Sequence, residues 1–386
     1  MSDRFNIAFF GSSLVSAYWN GAATYYRGLL GALAERGHRI TFYEPDAFQR
    51  QQHRDIDDPP WARVVVYSGT DPSQLCRCLD EAARADFVVK ASGVGVFDDV
   101  LERGVAALKD SGPVTIFWDV DAPATLGRLQ GDATDPFHDV LPAYDLVLTY
   151  GGGPPVVEAY RQLGAACCVP IYNAVDPATH RPVAPLSRFT ADLSFLGNRL
   201  PDRETRVHEF FFGPAAALPQ YSFLLGGSGW DRNVPLLDNV AVIGHVYTHQ
   251  HNAFNCSPRA LLNISRQSMA RVGYSPATRI FEAAGAGACL ITDAWEGIDW
   301  FLEPDRQVLV AESGDDVARH LSDLTPRRAA AIGHAARQRV LAEHTYAHRA
   351  RQVEALLKGA ATASPFADAT QANPRRSTRT AGISTG

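Results

Sequence analysis

Short apolar runs recur along the chain, separated by segments whose apolar positions fall at helical spacing. NIAFFGSS, HRITFYEPD, VVVYS, DFVVKASG, VTIFWDVD and DLVLTYGGG read as strands. Between the first two, Ala23, Tyr26, Leu30 and Leu33 mark a helix that Gly37 stops. Strand, helix and strand in that order form a βαβ unit, and its repetition predicts a parallel, doubly wound sheet. This series ends near residue 172. A second begins with ADLSFLGNR and runs through YSFLLGGSGW, NVAVIGHV, ALLNISR, ACLITD and QVLVAES, so the alternation restarts instead of extending one sheet. The expected fold class is α/β, with two Rossmann-like doubly wound domains facing a central cleft.

Between the two series, NAVDPATHRPVAPLSR is rich in proline and polar residues and has no periodicity, as suits a hinge. The predicted organisation is a first domain over 1–175, a hinge over 176–190 and a second domain over 191–358, the last closed by helices after residue 326. From Gly359 to Gly386 the chain turns to Ala, Ser, Thr, Pro and Gly, too poor in large apolar residues to order itself.

The 386 residues are 46% hydrophobic and 20% charged, enough for two cores, and the net charge of -6 provides no broad attraction for nucleic acid. Any anion must therefore be held locally. Cys76, Cys78, Cys167, Cys168, Cys256 and Cys289 have neither a zinc-ligand spacing nor the density of a disulfide scaffold. No run of about 18 apolar residues offers a membrane span, and MSDRFN leads straight into a strand without signal-peptide architecture, so a cytoplasmic protein is expected. The first strand is not followed by G-x-G-x-x-G, and GVGVFD at Gly93 fails at its last position. A nicotinamide or flavin cofactor is not expected.

The segment GYSPATRIFEAAGAGACLITD, residues 273–293, carries the most chemistry. Ser275 suits an N-cap and Pro276 the first helical position, and a helix start favours an anion, phosphate above all. Arg279, one turn in, would add a charge-assisted contact. Glu282 would accept hydrogen bonds from vicinal hydroxyls, as acidic residues do on ribose. The alternative is an ordinary Arg279 to Glu282 pair at i, i+3 on a solvated face.

Other stretches leave two readings each. In FWDVDAP, Asp119 and Asp121 have the D-x-D spacing of a metal site, yet either would equally cap a turn, orient an acceptor hydroxyl or act as a base. In GSSLVSAYWNGAA, the residues Ser12, Ser13, Tyr18, Trp19 and Asn20 follow the first strand, where ligands collect, and either line an acceptor pocket or pack at a domain edge. GGGPP at Gly151 offers amides to the cleft or forms a plain turn. His245, His249 and His251 lack a joining carboxylate, and no metal site is assigned.

DLSFLGNRLPDR, GGSGW, NVAVIGHV, ALLNISRQSM, GYSPATRIFEAAGAGACLITD and the hinge-like NAVDPATHRP together resemble the CgeB-like (spore maturation protein) glycosyltransferases of GT-B fold. The resemblance covers most of residues 5–350. It implies a nucleoside diphosphate sugar donor, such as a UDP-sugar, on the C-terminal domain and an unidentified small-molecule or glycan acceptor on the N-terminal domain, with metal-independent transfer between them. By that likeness Glu282 holds the ribose, Arg279, Arg266 and Arg203 the diphosphate, and Gly244, His245 and Val246 the base. Gly197, Asn198 and Ser275 lie in the donor motifs. Tyr274 stands where retaining relatives carry the first of two glutamates separated by seven residues, which leaves the stereochemical outcome open. A nucleotide-sugar epimerase and a non-catalytic sugar-nucleotide or glycan binding protein are the alternatives.

Overall fold

The computed structural model describes residues 4–18 and 20–362. Its first lobe holds seven parallel strands: β1 (Asn6–Phe10), β2 (Arg39–Asp46), β3 (Ala62–Ser68), β4 (Phe87–Ala91), β5 (Val114–Asp119), β6 (Leu146–Thr149) and β7 (Cys168–Pro170). They lie in the order β3-β2-β1-β4-β5-β6-β7. The second lobe holds six parallel strands: β8 (Leu193–Leu196), β9 (Phe223–Gly226), β10 (Val240–Gly244), β11 (Ala260–Asn263), β12 (Leu290–Asp293) and β13 (Leu309–Ala311). Their order is β10-β9-β8-β11-β12-β13. Twelve of the strands are those expected from the apolar runs. The thirteenth, β7, is only three residues long, too short for alternation to mark it.

Both sheets bury both faces, which is why their strands read as continuous apolar runs. Phe9, Phe42 and Trp118 fill one face of the first sheet and Phe10, Phe117 and Tyr160 the other. Phe195 and Phe211 lie on one side of the second sheet, Phe281 and Leu290 on the other. In each sheet the strand order reverses once, between β1 and β4 and between β8 and β11. Crevices at such reversals, beyond the carboxyl ends of the strands, are where open α/β sheets bind ligands.

The C-terminal helices correct the expected organisation. The helix Pro326–Glu343 does pack on the second lobe, through Ala329, Ile332, Ala336 and Val340. The last helix, Tyr346–Thr362, crosses back instead, and its Tyr346, Ala350, Val353, Leu356 and Leu357 enter the first lobe's core. Its partner helix Ala23–Glu35 approaches so closely at Gly28 that an added Cβ would lie 2.2 Å from the Tyr346 ring. Helical spacing announces an apolar face without saying which lobe it covers. The helix also includes residues 359–362, assigned from composition to the tail; residues 363–386 lie outside the described residues.

The chain thus crosses between lobes twice, and the crossings are bonded to each other: Val175 N donates to His344 O at 2.9 Å and Tyr346 N to Val175 O at 3.0 Å. Arg349 ties them further, donating to the carbonyls of Tyr172 and Asn173 and to His344 Nδ1. No helix among the described residues is long and apolar enough to cross a membrane.

Candidate active site

The segment 273–279 forms the seam between the lobes. Gly152 N, just after β6, donates to Tyr274 O at 2.8 Å, and Asn173 Nδ2 donates to Pro276 O at 3.3 Å. Because Asn173 takes that carbonyl, the chain stays extended through Ala277 and the helix runs Thr278–Gly285, with Ile280 N bonded to Ala277 O. This corrects the expected start at Pro276. Ser275 does not cap the helix; its hydroxyl donates to Gly273 O. Tyr274 adopts a left-handed φ of 46°, packs its ring on Trp300 and donates its hydroxyl to Glu296 at 2.9 Å.

Arg279 and Glu282 do pair at i, i+3, at 3.6 Å, but inside the lobe rather than on a solvated face: Glu282 is only 6% exposed. His180 Nε2 stands 3.6 Å from its other oxygen. Burial pushes the Glu282 pKa up, yet the charges of His180, Arg279 and His251 outweigh this and hold it below the usual carboxylate value. Burial, reinforced by Arg279, pushes His251 down to about 4. Arg279 also reaches Asn255 at 3.3 Å, and its buried Nε has no partner in the protein.

Arg203 follows β8 on the helix Pro201–Val207 and packs its guanidinium over Phe195, donating to Asn198 O. Its pKa falls to about 10, through burial first and then through Arg279 and Arg266. The three guanidinium groups thus lie near enough for their charges to act on one another, by the carboxyl edge of β8 and β11 and the strand-order reversal. Arg206, one turn further on, binds the fully buried Asp293 at 2.6 Å. The buried Nε atoms of Arg203 and Arg206 also lack partners. Like charges near one another with unsatisfied donors are the chemistry that a multiply charged anion would satisfy.

Around it the loops are tightly crossed. Gly197 O accepts from Trp230 Nε1 at 2.7 Å, and Asn198 Oδ1 accepts from Ser228 N at 3.0 Å. Gly227, with φ of 122°, lies so close that a Cβ there would stand 2.2 Å from Gly197 O. Gly244 O, at the end of β10, accepts from Gly227 N. Val246 is buried with its carbonyl on His251 Nε2, while His245 is exposed against Tyr247.

On the facing lobe, Asp119 and Asp121 part company. Asp119 is fully buried and accepts from the hydroxyls of Ser92, Thr125 and Tyr160 and from Asp121 N. Burial raises its pKa against these bonds. It braces the turn after β5 and cannot touch a substrate, which corrects its candidacy as catalytic residue. Asp121 reaches across the cleft to Arg266 at 2.8 Å, and Arg266 also binds Asp202 at 3.2 Å. With separate partners, the two aspartates form no common metal site.

The polar residues of the first loop are likewise spent internally. Ser12 Oγ donates to Asn20 Oδ1, Asn20 Nδ2 to the carbonyls of Ser13 and Ser16, and Ser13 Oγ to Glu44, all buried. These bonds shape the loop, which favours the packing reading for Ser12, Ser13 and Asn20 over direct acceptor contact. Tyr18 is 38% exposed and stacks on His53. Trp19 lies outside the described residues.

Sequence reading missed Arg206, His180, Asn255 and Asp202, and weighed His251 only as a metal ligand. Only Arg206 left a trace, since residues 203 and 206 share one face of a helix. Asp202 shares the helix Pro201–Val207 with Arg203, while His180 comes from a loop and His251 and Asn255 from the helix His251–Cys256, both outside the segment 273–293.

Residues 203–355, which include Arg203, Arg266, Arg279 and Glu282, match the family described as Glycosyl transferase-like. No curated protein matches the chain. Among solved structures, a sucrose-phosphate synthase from Thermosynechococcus elongatus is similar at 16% identity and a TM-score of 0.63, over 94% of this chain and 100% of the other. HepE of Anabaena, in complex with UDP-glucose, is 13% identical with a TM-score of 0.63, over 92% and 100%. The T4 phage glucosyltransferase BGT, in complex with its UDP-glucose substrate, is 11% identical with a TM-score of 0.56, over 92% and 98%. The fold is that of GT-B glycosyltransferase structures, and the second lobe carries the match to the glycosyl transferase-like family.

Proposed function

We propose that the protein transfers a sugar from a nucleoside diphosphate sugar to an acceptor in the cleft between its lobes. The observation that carries this reading is the convergence of Arg203, Arg279 and Arg266, with unpartnered donors on the first two, beside the start of the helix Thr278–Gly285. A diphosphate would relieve their mutual repulsion, and fixed donors aimed at a departing dianion stabilise the transition state without reorganising. The guanidinium groups supply charge that a metal would otherwise bring, so the proposed reaction is metal-independent.

In this reading Glu282 accepts from the ribose hydroxyls, and the backbone of Gly244, His245 and Val246 grips the base. Gly197 and Asn198 approach the phosphates. UDP-glucose is the first donor to try, being the ligand of two of the structural relatives. Arg266, shared between Asp121 and Asp202, changes partner when phosphate arrives and frees Asp121 to orient or deprotonate the acceptor. Tyr274 and its partner Glu296 lie at the seam, where the transferred sugar would sit. The CgeB-like branch is proposed as the finer family. All six cysteines are free thiols, which supports a reducing, cytoplasmic setting.

Thermal unfolding in the presence of UDP, GDP, ADP and their sugars tests the reading. A matching ligand at about a hundred times its Kd adds about 2.7 kcal/mol of stability. Absence of any shift with every nucleotide would remove the proposal. Release of nucleoside diphosphate on adding an acceptor then separates transfer from mere binding.

A further inference from the structure

The first sheet reverses its strand order between β1 and β4, and what stands over that crevice is Phe48, from the loop after β2. Phe48 is 54% exposed, although a ring of that size ordinarily hides. It is also strained: Phe48 and Gln49 have φ of 56° and 59°, a left-handed conformation that residues other than glycine and asparagine seldom adopt. The loop is nonetheless tightly fixed. Arg50, itself buried, lies 4.9 Å from the Phe48 ring centre and donates to the carbonyls of Ser12 after β1 and Val94 after β4. The ring rests on Gly95, where an added Cβ would come within 2.6 Å of it. Two strained residues, a buried cation and a glycine together hold one aromatic face open to the cleft edge.

We infer that Phe48 is the platform of an acceptor subsite, on which the apolar face of a sugar ring stacks. The inference rests on the cleft being the place of sugar transfer. β4 neighbours β5, one strand spacing of about 5 Å away, and β5 leads into Asp121. The platform and the proposed catalytic carboxylate thus lie on loops that leave neighbouring strands at the same edge of the sheet. The surrounding side chains are those that bind polyols: Gln49, Gln52 and His53 are exposed, and Tyr18 stacks on His53 at 4.1 Å. Amide and imidazole groups around one aromatic face fit a carbohydrate acceptor better than an apolar aglycone, which would leave them unpaired.

The test uses the full chain, an array of immobilised oligosaccharides and aryl aglycones, and a parallel calorimetric titration with UDP. Phe48→Asn removes the ring and suits the left-handed backbone; Phe48→Trp keeps an aromatic face. The wild-type protein and Phe48→Trp are expected to retain saccharides, while Phe48→Asn loses about tenfold or more in affinity, as the loss of one stacked ring predicts. Phe48→Asn should melt no lower than wild type, because the strain is relieved. The inference is overturned if Phe48→Asn holds saccharides as well as wild type, if it melts several degrees lower, or if the wild type holds no saccharide or only aryl groups. UDP should bind all three proteins equally. Saccharide binding without UDP binding would overturn the donor reading and leave the platform standing.

Discussion

Replacing Arg203 by methionine separates a binding charge from a structural one. The fall of its pKa from 12.5 to about 10 equals roughly 3 kcal/mol of unfavourable charge in the folded protein. Screening at the cleft leaves about 1–2 kcal/mol of that. Methionine removes the charge and keeps the packing on Phe195, but it gives up the bond to Asn198 O, worth about 1 kcal/mol. The apoprotein should therefore change by about 1 kcal/mol or less, a shift of a few degrees at most. Nucleotide binding should respond far more, since a charge-assisted contact to phosphate is worth about 1.5–3 kcal/mol, or about 10- to 100-fold in affinity. Thermal unfolding and calorimetric titration with UDP measure the two quantities on one sample. Loss of more than about 3 kcal/mol of stability with unchanged UDP affinity would refute the reasoning, because Arg203 would then be a member of the scaffold.

Further outcomes follow from other buried groups. Asp119→Asn should cost about 2–4 kcal/mol, because one carbonyl cannot accept from four donors; an unchanged melting temperature would return Asp119 to the list of catalytic candidates. His344 is pushed from 6.5 down to about 2 by burial and Arg349, so it stays neutral when folded and takes up a proton below pH 6.5 when unfolded. Its contribution to stability is complete above pH 6.5 and is lost as pH falls toward the folded value, at about 1.4 kcal/mol per pH unit. His344→Asn should flatten the melting profile between about pH 6 and pH 4.5, and an identical slope would contradict this. Gly227→Ala should cost several kcal/mol and weaken UDP binding, since both its φ of 122° and the Gly197 carbonyl oppose a Cβ; a variant with normal stability would show that the loop crossing is soft.

The fold was largely legible because a parallel sheet buried on both faces writes its strands as unbroken apolar runs, and twelve of them stand out. β7 escaped because Cys168–Pro170 is too short to carry a pattern, and the last helix was assigned to the wrong lobe because an apolar face does not name its partner. Within the site, Arg279 and Glu282 are visible as charges on a helix next to small residues, whereas Arg203 is named only through the family resemblance. The start of the helix Thr278–Gly285 was misplaced because Asn173, over a hundred residues away, takes the carbonyl of Pro276. Asp119 and Asp121 look alike in sequence, and only the fold buries one and turns the other toward Arg266. Phe48 carried no motif at all; its left-handed backbone and exposed ring are properties of the folded loop.

A crystal structure of the protein with UDP bears most directly on the central claim. The account predicts diphosphate oxygens on Arg203 and Arg279, ribose hydroxyls on Glu282, and Arg266 turned from Asp121 toward phosphate. Nucleotide bound elsewhere, or at these residues with the Arg266 to Asp121 contact and Glu282 untouched, would contradict it.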